Sequence, residues 1–210
     1  MISGSVNEIL AATGNKNKLL ELQTVAKRYG LTVLSPKEVK EKYNLGEPPE
    51  VEENASDYRG NAFLKAEAFF KWSGLPSLGD DSGLEVRALD NMPGIYSARY
   101  AGAGATDKDK IAKVLSELNE KLKNNSTLNR DARFYCYLVL ILGENEYLEE
   151  DGELQGYILD RPKGDLGFGY DPIVHIHELN KTLSEVDFAV TCEKGFRAKA
   201  AEKLFKRLIS

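Results

Sequence analysis

The sequence predicts an α/β fold on three observations. A strand, a tight turn, a helix and a second strand follow one another at its start, β-branched and aromatic runs recur further on, and amphipathic helical stretches separate them. The first strand is Glu8-Ile9-Leu10-Ala11-Ala12-Thr13, closed by Gly14. Leu19, Leu22, Ala26 and Tyr29 then recur at helical spacing, Gly30 ends that helix, and Leu31-Thr32-Val33-Leu34 reads as the second strand. From Ser35 to Ala55 the periodicity fails. Pro36, Pro48 and Pro49 interrupt it and Glu47, Glu50, Glu52 and Glu53 gather toward its end, so a long surface loop is expected, of a length that usually serves function. A second helix is expected from Ser56 to Ser73, with Ala62, Ala66, Phe69 and Phe70 inward. Leu75 to Val86 reads as two short strands around a polar centre, followed by a turn at Pro93 and Gly94. Thr106-Asp107-Lys108-Asp109 has the pattern of a capping box, with Ile111, Val114, Leu115, Leu118 and Leu122 continuing a helix behind it. Asn124 to Thr127 reads as a loop and Phe134 to Leu142 as a central strand. Further strands are expected near Tyr147 to Glu149, Leu154 to Ile158 and Ile173 to His177, and a last helix from Phe196 to Leu208.

With 210 residues, 42% of them apolar and 29% charged, the chain is expected to form a single domain over residues 1–210, or at most two small ones sharing a core. Its longest apolar run, Phe134 to Leu142, is nine residues, against roughly 20 for a bilayer-spanning helix. No membrane contact is expected, and the first residues lack a signal-peptide pattern, which predicts a cytoplasmic protein. Cys136 and Cys192 are too few for a disulfide framework and stand in no zinc-binding spacing. The balance of 28 basic and 33 acidic residues, a net charge of −5, argues against a broad nucleic-acid surface. A local basic site for an anionic ligand is compatible with it.

Four segments could carry chemistry. Thr13-Gly14-Asn15-Lys16-Asn17-Lys18 lies at a strand-to-helix turn, where free helix N–H groups and the lysines suit a phosphate, although the same pattern also makes an ordinary turn. Asp80-Asp81-Ser82-Gly83 sets two carboxylates side by side. Hard oxygen donors favour magnesium, an extended backbone would turn the two side chains to opposite faces, and an Asx turn is the structural alternative. Glu52 and Glu53 in the long loop could complete such a metal site, though an acidic loop is more often just solvated, and Lys65 on the following helix is likewise more often a surface charge. Gly164-Asp165-Leu166-Gly167-Phe168-Gly169-Tyr170-Asp171-Pro172 combines three glycines with aromatic faces that could stack on a nucleobase, with Asp171 able to accept from a purine N–H; a hydrophobic turn over the core has the same composition. Glu193-Lys194-Gly195-Phe196-Arg197 places positive charge at a helix start, where the helix dipole does not favour it; an anion or base carbonyl nearby would explain it, although a solvent-facing Arg is the commoner case.

In this order the segments closely resemble the Ham1, or inosine triphosphate pyrophosphatase, family. The resemblance runs from Ile9 to Leu208 through Ala12-Thr13-Gly14-Asn15-x-x-Lys18, Asn61-Ala62-x-x-Lys65-Ala66, Asp80-Asp81-Ser82-Gly83-Leu84, Met92 to Gly102, and Gly167 to Pro172. It implies a mixed elongated sheet flanked by helices, two lobes around a central cleft, commonly as a homodimer. It also implies Mg²⁺-dependent hydrolysis of the α–β phosphoanhydride of non-canonical purine nucleoside triphosphates (ITP, dITP, XTP), giving the monophosphate and pyrophosphate. By the same resemblance Asp81 activates water and serves the metal with Glu53 and Asp80, Thr13 to Lys18 and Lys65 hold phosphates, and Ser82 contacts substrate. Phe168, Gly169, Tyr170 and Asp171 form the base loop, and Lys194, Phe196 and Arg197 belong to the substrate site. Three departures mark this chain: Gly60 where the family usually has Glu, Gly195-Phe196-Arg197 in place of Ser-His-Arg, and Thr191 in place of a lysine. They leave two other expectations open, a nucleotide-binding or regulatory homologue with weak turnover and a pyrophosphatase of altered base preference.

Overall fold

Alternating apolar strands and capped helices produce the mixed α/β class that the sequence predicts. The computed structural model describes residues 6–210, and the chain divides into two compact units. The first contains the chain up to Asp81 with Cys136–Gly152 and Arg197–Ser210; the second contains Ser82–Tyr135 and Glu153–Phe196.

In the first unit, strand β1 (Glu8–Ala11) pairs in parallel with β2 (Thr32–Leu34), Ile9 opposite Val33, and with β3 (Ser77–Val86), Ala11 opposite Leu78. Helix α1 (Lys16–Lys27) is the crossover between β1 and β2, as parallel pairing requires. Strands β5 (Asp131–Gly143) and β6 (Glu146–Ile158) follow β3 in the sheet and are joined by a two-residue turn. Leu10 and Ala12 contact Val39 of helix α2 (Pro36–Tyr43) and Phe69 of helix α3 (Tyr58–Ser73), while Ala62 and Ala66 of α3 pack with Val139 and Ile141 of β5. Each such fully buried leucine or isoleucine contributes roughly 1.5–3 kcal/mol. Helix α6 (Phe196–Ile209) meets the turn that follows α1 through the Phe205 and Tyr29 rings, whose centroids are 6.1 Å apart. Gly79 sets how closely α3 approaches β3, because a Cβ there would lie 1.9 Å from the Ala62 carbonyl oxygen.

In the second unit, β4 (Met92–Pro93) pairs antiparallel with the end of β3, and β6 continues antiparallel to β7 (Val174–Ile176), itself antiparallel to β8 (Lys181–Thr182). Helix α4 (Asp107–Asn124) starts at the expected capping box, Thr106 and Asp109 bonding each other's backbone N–H, and buries Ile111, Val114 and Leu118. Helix α5 (Phe188–Lys194) ends at Gly195, where a Cβ would come within 2.4 Å of the Thr191 carbonyl oxygen.

Several expectations need correction. The segment Ser35 to Ala55 is not all loop: Ser35 and Glu38 form a capping box with Pro36 at the first helical position, where its missing N–H costs nothing, and α2 results. Leu75 to Val86 is not two strands; Ser77–Val86 is one, because the polar residues at its centre find buried partners. Tyr147 to Glu149 and Leu154 to Ile158 likewise belong to one strand, β6. Helix α5 and strands β4 and β8 were not expected. Among the described residues no helix is long and apolar enough to cross a membrane.

Replacing Gly79 by Ala is expected to force α3 away from β3 and to destabilise the protein by about 2–3 kcal/mol or more, seen as a loss of at least roughly 5 °C in thermal unfolding. An unchanged melting temperature would show that the contact is not rigid.

Candidate active site

The first unit gathers a chain of buried charges around residues 80 and 81. Because β3 is extended there, the two carboxylates leave opposite faces of the strand. Asp80 is 1% exposed, and its two oxygens accept from Arg197 Nε of α6 at 2.5 Å and from Lys18 Nζ of α1 at 2.8 Å. Arg197 is itself 1% exposed and also donates through Nη1 to both oxygens of Glu21, at 3.0 and 3.1 Å. Burial alone would raise the Asp80 carboxyl, but the Arg197 and Lys18 charges outweigh it and hold it well below the usual carboxylate range. Glu21 shows the opposite balance: burial dominates over Arg197 and moves its carboxyl up. Burial opposes the charge of Arg197 too, yet Asp80 and Glu21 keep the guanidinium firmly ionised.

Asp81 faces α3. Its Oδ2 accepts from Asn61 Nδ2 at 3.1 Å and its Oδ1 lies 3.6 Å from Lys65 Nζ. Lys65 also donates to Glu53 Oε1 at 2.9 Å, so one ammonium holds two carboxylates from different segments. Burial raises the Asp81 carboxyl above its ordinary value despite the nearby Lys65 and Lys18 charges and the Asn61 bond. A raised pKa makes a carboxylate a better proton acceptor.

The turn from Thr13 to Lys18 is organised by its own side chains. Thr13 Oγ1 accepts from the Asn15 N–H, and Asn15 caps α1 by accepting from the N–H groups of Asn17 and Lys18. Gly14, Asn15, Lys16 and Asn17 are exposed, whereas Lys18 turns inward to Asp80.

The aromatic loop belongs to the second unit. Gly167 has φ +77° and a Cβ there would lie 2.3 Å from Asp171 Oδ2, an oxygen that also accepts from the Phe168 N–H at 2.8 Å. Gly169 donates its N–H to Asp107 at the start of α4, and the buried Tyr170 hydroxyl donates to the Ser97 carbonyl. The Phe168 ring is half-buried while Asp171 is buried and binds its own loop. Ser82 is half-buried on β3, Lys194 is exposed at the end of α5, and the buried Phe196 stacks on Phe134 with centroids 5.1 Å apart and planes at 12°.

The structure thus brings Lys18, Glu53, Lys65, Asp80, Asp81 and Arg197 into one unit with mutual contacts, and places Ser82, the Phe168 loop, Lys194 and Phe196 in the other. Sequence reasoning missed Glu21 and Asn61. Glu21 sits between Lys18 and Leu22 on the inner side of α1, a position in the helical period that could have identified it. Asn61 begins the Asn-Ala-x-x-Lys-Ala pattern, and only its complete burial shows that it is more than a polar helix residue.

The chain is similar to known proteins over nearly its whole length. Residues 9–207 match the model of the Ham1 family. The chain is 37% identical to a dITP/XTP pyrophosphatase of Vibrio cholerae, over 97% of each protein, and 37% identical to one of Bacillus subtilis, over 97% of this chain and 98% of the relative. A solved structure of a Ham1 protein from Coxiella burnetii matches with a TM-score of 0.82 and 35% identity, over 96% of this chain and 98% of the other.

Replacing Arg197 by Met is expected to destabilise the protein by roughly 3–5 kcal/mol, since Asp80 and Glu21 would lose a shared buried cation. The depressed Asp80 pKa contributes stability that is full above about pH 4 and is lost as pH falls toward the folded-state value. Urea unfolding between acidic and neutral pH should therefore show a smaller acid-side loss in Arg197→Met than in the wild type. Parallel pH profiles would contradict the ion-pair account.

Proposed function

Because the chain belongs to the Ham1 family, we propose that it is a nucleoside triphosphate pyrophosphohydrolase. Its substrates are non-canonical purine nucleoside triphosphates of the ITP, dITP and XTP type, which it removes from the nucleotide pool as monophosphate and pyrophosphate. The observation that carries this reading is the lysine-bound pair Glu53 and Asp81 beside Lys18, in a chain alike over nearly its whole length to dITP/XTP pyrophosphatases.

Hydrolysis adds a water oxygen to the α-phosphorus and breaks its bond to the α–β bridging oxygen. Asp81 accepts the water proton, a role supported by its burial and raised basicity. Charge on the triphosphate needs neutralisation and positioning more than covalent chemistry, and Lys18 and Lys65 provide fixed cations for it. Arg197 and Asp80 support Lys18 from behind. The exposed turn from Gly14 to Asn17 offers further polar contacts to the phosphates.

Among the described residues no group of three or more His, Cys, Asp or Glu side chains gathers as a metal nest. Two hard carboxylates completed by substrate phosphates nevertheless suit Mg²⁺, which commonly takes only one or two protein carboxylates. Glu53 and Asp81 would hold it; Asp80, with both oxygens on nitrogen donors, would serve from behind. When bound, the cation neutralises phosphate charge.

For the base, Phe168 offers a ring face, with Gly169 and Tyr170 shaping the loop. Asp171 would act mainly by holding that loop, since its Oδ2 accepts from the Phe168 N–H. Ser82 and Lys194 are proposed as further substrate contacts, and a homodimer as the working assembly. Altered base preference is a second reading, favoured by Phe196: its ring is buried on Phe134 and brings no hydrogen-bonding group where the family usually has histidine. A site without a base-edge partner discriminates less among purines.

With Mg²⁺, ITP, dITP or XTP should yield one pyrophosphate per monophosphate, and Asp81→Asn should lower kcat by roughly 10²–10⁴ with an unchanged circular dichroism spectrum. Release of inorganic phosphate would reject the bond assignment. Tight nucleotide binding in calorimetry with no product from any base would instead indicate a regulatory binding protein.

A further inference from the structure

We propose that Gly60 and Asn61 form a latch that seats the Glu53-bearing segment on α3 and aims the Asp81 carboxylate, making Asn61 a positioning residue for hydrolysis. The inference rests on the pyrophosphohydrolase reading and adds to it two residues that neither touch substrate nor carry charge.

The direction of the Asn61 amide is fixed by chemistry. The backbone N–H of Ala55 can only donate, and it reaches Asn61 Oδ1 at 3.0 Å. The amide nitrogen must then point the other way, where it donates to Asp81 Oδ2 at 3.1 Å. Asn61 is 0% exposed, so water cannot replace either bond cheaply. One buried side chain therefore ties residue 55, two positions from Glu53, to residue 81. The Asn61 bond holds Asp81 Oδ2 while Oδ1 faces Lys65 one turn further along α3, the lysine that also binds Glu53. Aim and spacing of both carboxylates thus depend on one amide.

Gly60 explains how Ala55 comes within reach. It lies in the first turn of α3, where glycine costs helix stability relative to alanine, so its presence calls for a reason. A Cβ at position 60 would lie 2.6 Å from the Ala55 Cβ and 3.2 Å from Asp57 Oδ1. The Ala55 methyl cannot swing aside as a long side chain could, so any larger residue at 60 lifts the segment. Asp57 completes the latch, its Oδ1 accepting from the Gly60 N–H at 2.7 Å as the cap of α3.

The test compares wild type with Gly60→Ala, Asn61→Ala and Asn61→Asp by steady-state kinetics, hydrogen exchange of the segment around Ala55, and Mn²⁺ binding followed by electron paramagnetic resonance. Asn61→Ala should lower kcat about 10–100-fold while KM changes by less than about threefold, with faster exchange and weaker Mn²⁺ binding. Asn61→Asp keeps the acceptor for the Ala55 N–H but not the donor to Asp81; exchange should stay slow while kcat stays low. Gly60→Ala keeps the amide but displaces Ala55, so exchange should quicken and Mn²⁺ affinity should drop several-fold. If Asn61→Ala does not fold, the other two variants decide. Wild-type kcat in Asn61→Asp, or wild-type exchange and Mn²⁺ binding in Gly60→Ala, would overturn the latch. A wild-type protein that releases no pyrophosphate would reject the functional reading alone, because exchange and Mn²⁺ binding still judge the latch.

Discussion

Two carboxylates on consecutive residues of an extended strand cannot share one environment, and the architecture of the first unit follows from that constraint. The pleat sends Asp80 toward α1 and α6 and Asp81 toward α3. Each buried carboxylate then needs compensation, because an isolated charge in the interior is prohibitively costly. Asp80 receives two cations and becomes an anchor, its charge locked in place. Asp81 receives an amide and a more distant ammonium and stays the more basic of the pair. A single dipeptide thus divides into a locked and a more basic carboxylate without any difference in residue type.

Much of this was legible in the sequence. Adjacent aspartates at a strand-like centre, the Thr-Gly-Asn turn before a helix and the spacing from Asn61 to Lys65 all pointed to segments that the fold brings into contact, and the opposite-face geometry of Asp80 and Asp81 followed from the pleat alone. What escaped was partnership at long range. Glu21 looks like a surface charge until Arg197, 176 positions away, is found beside it. Helix α2 escaped for a local reason, since Pro36 was weighed as a breaker when its place after Ser35 and before Glu38 makes it an initiator. The polar residues that seemed to split β3 are the ones its neighbours satisfy.

The second unit treats its departures from the family pattern as packing rather than as loss. Gly195 admits the Thr191 carbonyl where a side chain would collide, and Phe196 gains an aromatic partner in Phe134. The aromatic loop follows a similar logic: Gly167 gives the Asp171 carboxylate room to turn back on the Phe168 amide, so the loop carries its own brace. The shape of that loop is set by its backbone as much as by its side chains.

The missing side chain at Gly79 bears on how the first unit can move. With the Ala62 carbonyl seated where a Cβ would be, α3 cannot slide along β3 or step by a helical turn without losing that fit. Lys65 and Asn61 therefore ride on a fixed rail, and the stretch between α2 and α3 rests on the same framework through the packing of Leu45 and Val51 and the bonds of Glu53 and Ala55 to α3. Asn61 and Lys65 consequently stay in register with Asp81, and the segment that bears Glu53 is referenced to the same strand through them.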